Sequence, residues 1–192
     1  MGVMLDKYNR FLEGSGFSTF NKSSSDVLYR STNPLTLDSI GDISLDLIEK
    51  DNIKSVKNIL EIGRSNGYSF GFFKFCFPAA KVISIDIVRT ETSVKMSKVF
   101  DDNFEFIDGT SDFVKSMDTK FDIVFIDGDH TYEWAKRDWD NVQGHLTEKA
   151  IVIFDDLDWG DHGVLRFFES LNKTKETKYI DGSPSYGIVY CD

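Results

Sequence analysis

Cysteine, proline, histidine and clustered basic residues are all scarce in this chain. Cys76 and Cys191 are the only cysteines, one within an apolar stretch and the other beside the last residue. Two such unrelated positions exclude the disulfide framework of a small secreted domain and fit a reducing compartment. Prolines number 3 in 192 residues, which excludes collagen-like and proline-rich disordered classes. Lys and Arg total 22 against 32 Asp and Glu, for a net charge of -10 and a pI near 4.8. Without a basic stripe the chain is not expected to bind nucleic acid, whose affinity comes from phosphate neutralisation. Nor is a membrane expected. The longest apolar run, FGFFKFCFPAA, is broken by Lys74 and too short to span a bilayer, and the opening MGVMLDKYNRFLEG lacks the charged-then-apolar order of a secretion signal. The expectation is a cytoplasmic protein with a small-molecule ligand, its acidic cleft favouring cations.

What is present is an alternation. Short apolar runs at Asn58 to Ile62, Lys81 to Ile85, Phe104 to Ile107, Phe121 to Ile126 and Ala150 to Phe154 read as strands. Between them, Tyr68 to Phe75, Thr92 to Phe100, Asp112 to Met117 and Thr131 to His145 read as helices, with another at Val164 to Leu171. Strands alternating with helices give βαβ units, right-handed crossovers and a parallel sheet covered on both faces. Lys178 to Ile180 and Tyr186 to Tyr190, separated by DGSPS, then read as an antiparallel hairpin at one edge. The fold class expected is α/β: a doubly wound, Rossmann-like, mostly parallel sheet of about seven strands closed by that hairpin. A helix at Met4 to Leu12 and another from Asp38, with Ile40, Ile43, Leu47 and Ile48 at helical spacing, precede the sheet. A single domain is expected, residues 1–37 forming an extension or lid and 38–192 the core. The loop from Leu157 to Gly163 is a second candidate lid.

The polar residues with chemical potential fall just after the strands. The stretch FDIVFIDGDH runs from a buried-strand pattern straight into Asp127, Gly128, Asp129 and His130. The first strand ends in EIGRSNG, the second in Asp86, the third in Asp108 to Ser111 and the fifth in Asp155 with Asp156. In an open α/β sheet ligands bind outside the carboxyl ends of the strands, so these residues converge on one rim. Gly63 and Gly67 sit at a strand-to-helix turn, where backbone comes close to a ligand and the next helix presents free N–H groups. Asp86, at the end of the second strand, is placed to accept hydrogen bonds from ribose hydroxyls.

Glu61-Ile-Gly63 with Gly67, then Asp86, then the terminal hairpin resembles a class I S-adenosylmethionine-dependent methyltransferase from about Asp38 to the end of the chain. The resemblance implies S-adenosylmethionine as cofactor and Glu61, Gly63, Gly67, Asp86, Gly109, Thr110, Ser111 and Asp127 as its binding residues. Gly63 and its neighbours would border the methionine part, and Gly109 to Ser111 the adenine. In such a fold Asp127, Asp155 and Asp156 end neighbouring strands, and three carboxylates in one crevice repel unless protonated or bridged by a cation. Mg²⁺ or another hard divalent ion is the expected bridge. Metal-dependent O-methyltransferases of the catechol and macrolide-sugar types are similar here, each with an acid after strand four and an acidic pair after strand five. The sugar type also carries a base three residues after its first Asp, where this chain has His130. The Asp-Asp pair, in place of Asp-Asn, favours the sugar type. A metal on Asp127, Asp155 and Asp156 would lower the pKa of a substrate hydroxyl, and His130 would take its proton. The alternatives are a methyltransferase that needs no metal and a binding module that holds the cofactor without turnover. A nicotinamide oxidoreductase is disfavoured by Ser65 and the hairpin.

Overall fold

The computed structural model describes residues 3–17, 41, 56–100, 102–180 and 182–191. Within them the chain forms α1 (Val3–Gly14), β1 (Asn58–Ile62), α2 (Tyr68–Cys76), β2 (Lys81–Asp86), α3 (Glu91–Ser97) and β3 (Phe104–Asp108). There follow a 3₁₀ helix at Ser111–Ser116, β4 (Phe121–Ile126), α4 (Tyr132–Val142) and a second 3₁₀ helix at Gln143–His145. The last elements are β5 (Leu146–Phe154), α5 (Gly163–Ser170), β6 (Thr174–Ile180) and β7 (Ser183–Tyr190). The helix expected from Asp38 lies outside the described residues.

Seven strands form one sheet in the order β3-β2-β1-β4-β5-β7-β6. The first five are parallel, and β7 runs antiparallel to both β5 and β6. The strand order reverses between β1 and β4, so a crevice opens above their carboxyl ends. Each face of the sheet carries its own apolar cluster. One gathers Phe70, Phe72 and Phe73 of α2 with Leu5, Tyr8 and Leu12 of α1. The other gathers Ala135, Trp139 and Val142 of α4 with Val164, Phe167 and Phe168 of α5. Burial on both sides is why β1 and β4 read as near-continuous apolar runs. Helix α2 is apolar almost all round because it is covered by α1: a Cβ on Gly71 would stand 2.3 Å from the Tyr8 hydroxyl, which donates to the Tyr68 carbonyl.

The alternation read from sequence is the observed one, with differences at element ends. β5 begins at Leu146 rather than Ala150 and β6 at Thr174 rather than Lys178. Both extensions are polar, TEK in β5 and TKET in the edge strand β6, where side chains meet water and leave no apolar signal. The hairpin turn is tighter than DGSPS, since Ser183 already pairs with Ile180 and Gly182 takes a φ of 87°. The segment expected as a helix from Asp112 is a six-residue 3₁₀ helix. No helix among the described residues is long and apolar enough to cross a membrane.

Candidate active site

Three turns at the carboxyl ends of β1, β2 and β4 build the floor of the crevice. Gly63 has a φ of 91°, and a Cβ there would meet the Asp127 carbonyl oxygen at 1.8 Å. The turn after β1 is therefore in backbone contact with the start of the β4 loop, and only glycine permits it. Asp127 is held from its own side as well, its N–H donating to the Ile62 carbonyl at 2.8 Å. Gly67, at a φ of 81°, starts α2 without a side-chain cap, and its missing Cβ lets Ser93 of α3 come close.

Glu61 is fully buried and does not face the crevice. Its two carboxylate oxygens accept from the hydroxyls of Ser69 and Ser84, tying α2 and β2 to β1. Burial pushes its carboxyl up to about 7 against the pull of those two hydrogen bonds. Asp86 accepts from the backbone N–H groups of Arg64 and Ser65 at 2.8 and 2.7 Å and from that of Val88 at 2.8 Å. A carboxylate offers about four acceptor sites, so Asp86 orients the β1 turn and keeps capacity for a ligand. Ile87 and Val88 beside it are 74% and 54% exposed, an apolar surface next to a carboxylate.

Ser111 follows Gly109 and Thr110 after β3 but points inward. Its hydroxyl donates to Asp138 of α4 at 2.5 Å and accepts from Asn141 at 2.7 Å. Asp138 is buried, which raises its carboxyl to about 6, and a Cβ on Gly128 would lie 3.3 Å from its Oδ2. Asp138 thus links the β3 loop to the β4 loop. It shares the buried stripe of α4 with Ala135, Trp139 and Val142, so an acid recurring at apolar spacing is the sequence signal for it.

Asp127, His130 and Asp156 form the acidic half, with donor atoms all within 4.8 Å of one another. His130 Nε2 stands 3.0 Å from Asp156 Oδ2 and 3.7 Å from Asp127 Oδ1. The nearby carboxyl groups of Asp127 and then Asp156 raise the imidazole to about 10, while burial raises Asp127 itself to about 7, so near neutral pH the group shares protons between the imidazole and Asp127. The expected acidic pair is split. Asp155 stays buried, its N–H donating to the Ile126 carbonyl at 3.0 Å, and its carboxylate is outside the group. Asp156 instead takes a φ of 53°, which turns it to the rim. Asp129 accepts from the Thr131 N–H at 2.9 Å and shapes the turn into α4, which Thr131 caps. Trp159, 62% exposed, has its ring centroid 5.7 Å from that of His130. His162 lies at the start of α5, and His145 meets the Thr119 carbonyl in a structural contact.

Residues 60–157, just over half of the chain, match the methyltransferase domain family. The chain belongs to that family. Its fold is that of class I S-adenosylmethionine-dependent methyltransferases of known structure. One such structure, a Staphylococcus aureus protein provisionally described as a caffeoyl-CoA O-methyltransferase, is 21% identical with a TM-score of 0.63, over 98% of this chain and 92% of that one. TomG from Streptomyces achromogenes, an O-methyltransferase involved in tomaymycin synthesis and solved with SAM, is 17% identical with a TM-score of 0.62, over 100% and 91%. MycE of the mycinamycin biosynthetic pathway, solved with Mg and SAH, is 14% identical with a TM-score of 0.63, over 100% of this methyltransferase and 55% of its own length. A search of curated protein sequences finds no match.

Proposed function

We propose that this methyltransferase moves the methyl group of S-adenosylmethionine to a hydroxyl oxygen of a small molecule carrying a second oxygen nearby, such as a sugar or another vicinal diol. The observation that carries the reading is the backbone contact between the Gly63 turn and Asp127. It makes the turn suited to the cofactor contiguous with the loop suited to the acceptor, so donor and acceptor would share one crevice.

S-adenosylmethionine, when bound, supplies an electrophilic methyl group. Asp86 would hold its ribose hydroxyls, the Gly63 to Gly67 turn and the uncapped start of α2 its methionine part, and the Gly109 to Ser111 loop with Ile87 and Val88 its adenine. The fit rests on an aligned carboxylate, a glycine turn and an exposed apolar surface in sequence along one rim. Asp127 and Asp156 converge beside His130 within 4.8 Å, and their carboxylate oxygens suit a hard divalent cation. Such an ion would supply positive charge that favours the ionised acceptor hydroxyl. Asp127 and Asp156 would hold it, and His130, freed from bridging them, would accept the hydroxyl proton.

A second reading needs no metal, and one observation favours it: His130 already stands 3.0 Å from Asp156 and 3.7 Å from Asp127, where a protonated imidazole offsets part of their charge. The two readings part in one experiment. Thermal unfolding with S-adenosylhomocysteine at about 100 times its dissociation constant should gain roughly 2.7 kcal/mol. Methyl transfer to a panel of vicinal diols, assayed with and without a chelator, should then be lost on chelation. Transfer that survives chelation favours the metal-free reading, and no stabilisation by the nucleoside ligand contradicts both.

A further inference from the structure

A tight turn between a strand and a helix calls for glycine and small residues, yet the turn after β1 contains an arginine. Arg64 is 1% exposed, among the most buried large side chains of the chain. Its Nη1 donates to the Ser84 carbonyl at 3.0 Å and its Nη2 to the Val88 carbonyl at 2.9 Å. Nη2 also reaches Asp108 Oδ1 at 3.4 Å, and the guanidinium carbon lies 4.5 Å from the centroid of the Phe106 ring. One side chain from the β1 turn thereby grips the end of β2, the segment beyond it and the end of β3. The backbone of the same residue donates to Asp86, as does that of Ser65. Arg89 reinforces the far side, its Nε 2.9 Å from the same Asp108 oxygen.

Stability alone is a poor reason for this arrangement. A buried guanidinium is costly, and the Nε of Arg64 is buried without a hydrogen-bond partner among the described residues. A hydrophobic side chain would fill the same space at lower cost. What the guanidinium adds is geometry: a rigid planar fork that fixes two carbonyls and a carboxylate from separate loops relative to one another. Those loops carry Asp86, Ile87 and Val88, which the proposed function sets against the ribose and the adenine.

We propose that Arg64 is a positioning residue for the nucleoside end of the cofactor site, holding the carboxyl ends of β2 and β3 in one arrangement before ligand arrives. It rests on the cofactor reading above. Lysine keeps the charge and loses the fork, so it does not substitute.

Calorimetric titration of S-adenosylhomocysteine into the full chain tests it, with Arg64→Lys, Arg64→Met and Lys74→Met beside the unchanged protein. Lys74 is an equally buried cation at the opposite end of the strands, bonded to the carbonyls of Pro78, Ala80 and Asn103. The expected result is a dissociation constant at least tenfold higher in both Arg64 variants with the binding stoichiometry kept near that of the unchanged protein. Lys74→Met should lower the melting temperature with affinity within twofold. A merely structural Arg64 would reduce the fraction of competent protein and leave affinity alone. If Arg64→Met does not fold, Arg64→Lys decides: folded protein with affinity within twofold of the unchanged chain overturns the proposal. Failure of the unchanged protein to bind at all overturns the cofactor reading itself.

Discussion

The two ends of the parallel strands solve opposite problems with similar residues. At the amino ends, charged side chains are spent on backbone. Lys74 donates to three carbonyls, and Asp122 accepts from the N–H groups of Lys57 and Asn58 at 2.7 and 3.0 Å. At the carboxyl ends Asp86 and Arg64 also bind backbone, but the loops at that end hold Ser65, Asp156 and His162, the non-glycine residues with positive φ among those described. Among the described residues, left-handed backbone at non-glycine positions and carboxylates in contact with a histidine lie at this end. Stability and function are thus divided along the strand axis, and the residue type does not reveal which side it serves.

The sharpest way to break this division is Gly63→Ala. A methyl group 1.8 Å from the Asp127 carbonyl at positive φ should cost about 3 kcal/mol or more and abolish nucleoside binding together. Chemical denaturation and calorimetry on the same sample would report both; retention of either would separate the turn from the site. At the amino end, Lys74→Met should cost about 1–3 kcal/mol by leaving buried carbonyls short of a donor, with binding unaltered.

Glu61 sits between the two ends and should appear in the pH dependence of stability. Its carboxyl is raised from 4.5 to about 7 in the fold, so the native state holds a proton that the unfolded chain has released. The associated stability is complete below pH 4.5 and is lost as pH rises towards 7, by up to about 3 kcal/mol. Glu61→Gln should flatten that portion of a melting-temperature profile, and an unchanged profile would count against a buried, raised carboxyl. A second pH signature is expected at His130. Its imidazole resonances should titrate near 10 in metal-free protein, with stability from its ion pairs present below 6.5 and lost as pH rises through 10. Asp156→Asn should bring that value down towards 6.5, and a midpoint already near 6.5 in the unchanged protein would remove the bridging contact.

Much of this was legible because burial on both sheet faces writes β1, β2 and β4 as apolar runs, and because Asp127 and His130 follow β4 abruptly. The polar halves of β5 and β6 carry no such mark, since edge and end positions face water. Asp155 and Asp156 are indistinguishable by type, and only the left-handed turn at Asp156 separates them. Arg64 reads as an ordinary surface charge until the fold wraps β2 and β3 around it. Asp138 is marked in sequence only by its place on the apolar stripe of α4, and its partner, Ser111, comes from α4 lying against that loop. Sequence therefore reports the elements and their loops, while the inward or outward choice of a loop residue is a property of contacts distant along the chain.

Titration of S-adenosylhomocysteine into the unchanged protein and into Asp86→Asn measures the central claim, that the carboxyl-end rim is a cofactor site oriented by the β2 acid. Binding by the unchanged protein, weakened at least tenfold by the substitution, is the predicted result. Equal affinity in the two proteins, or none in either, would contradict it.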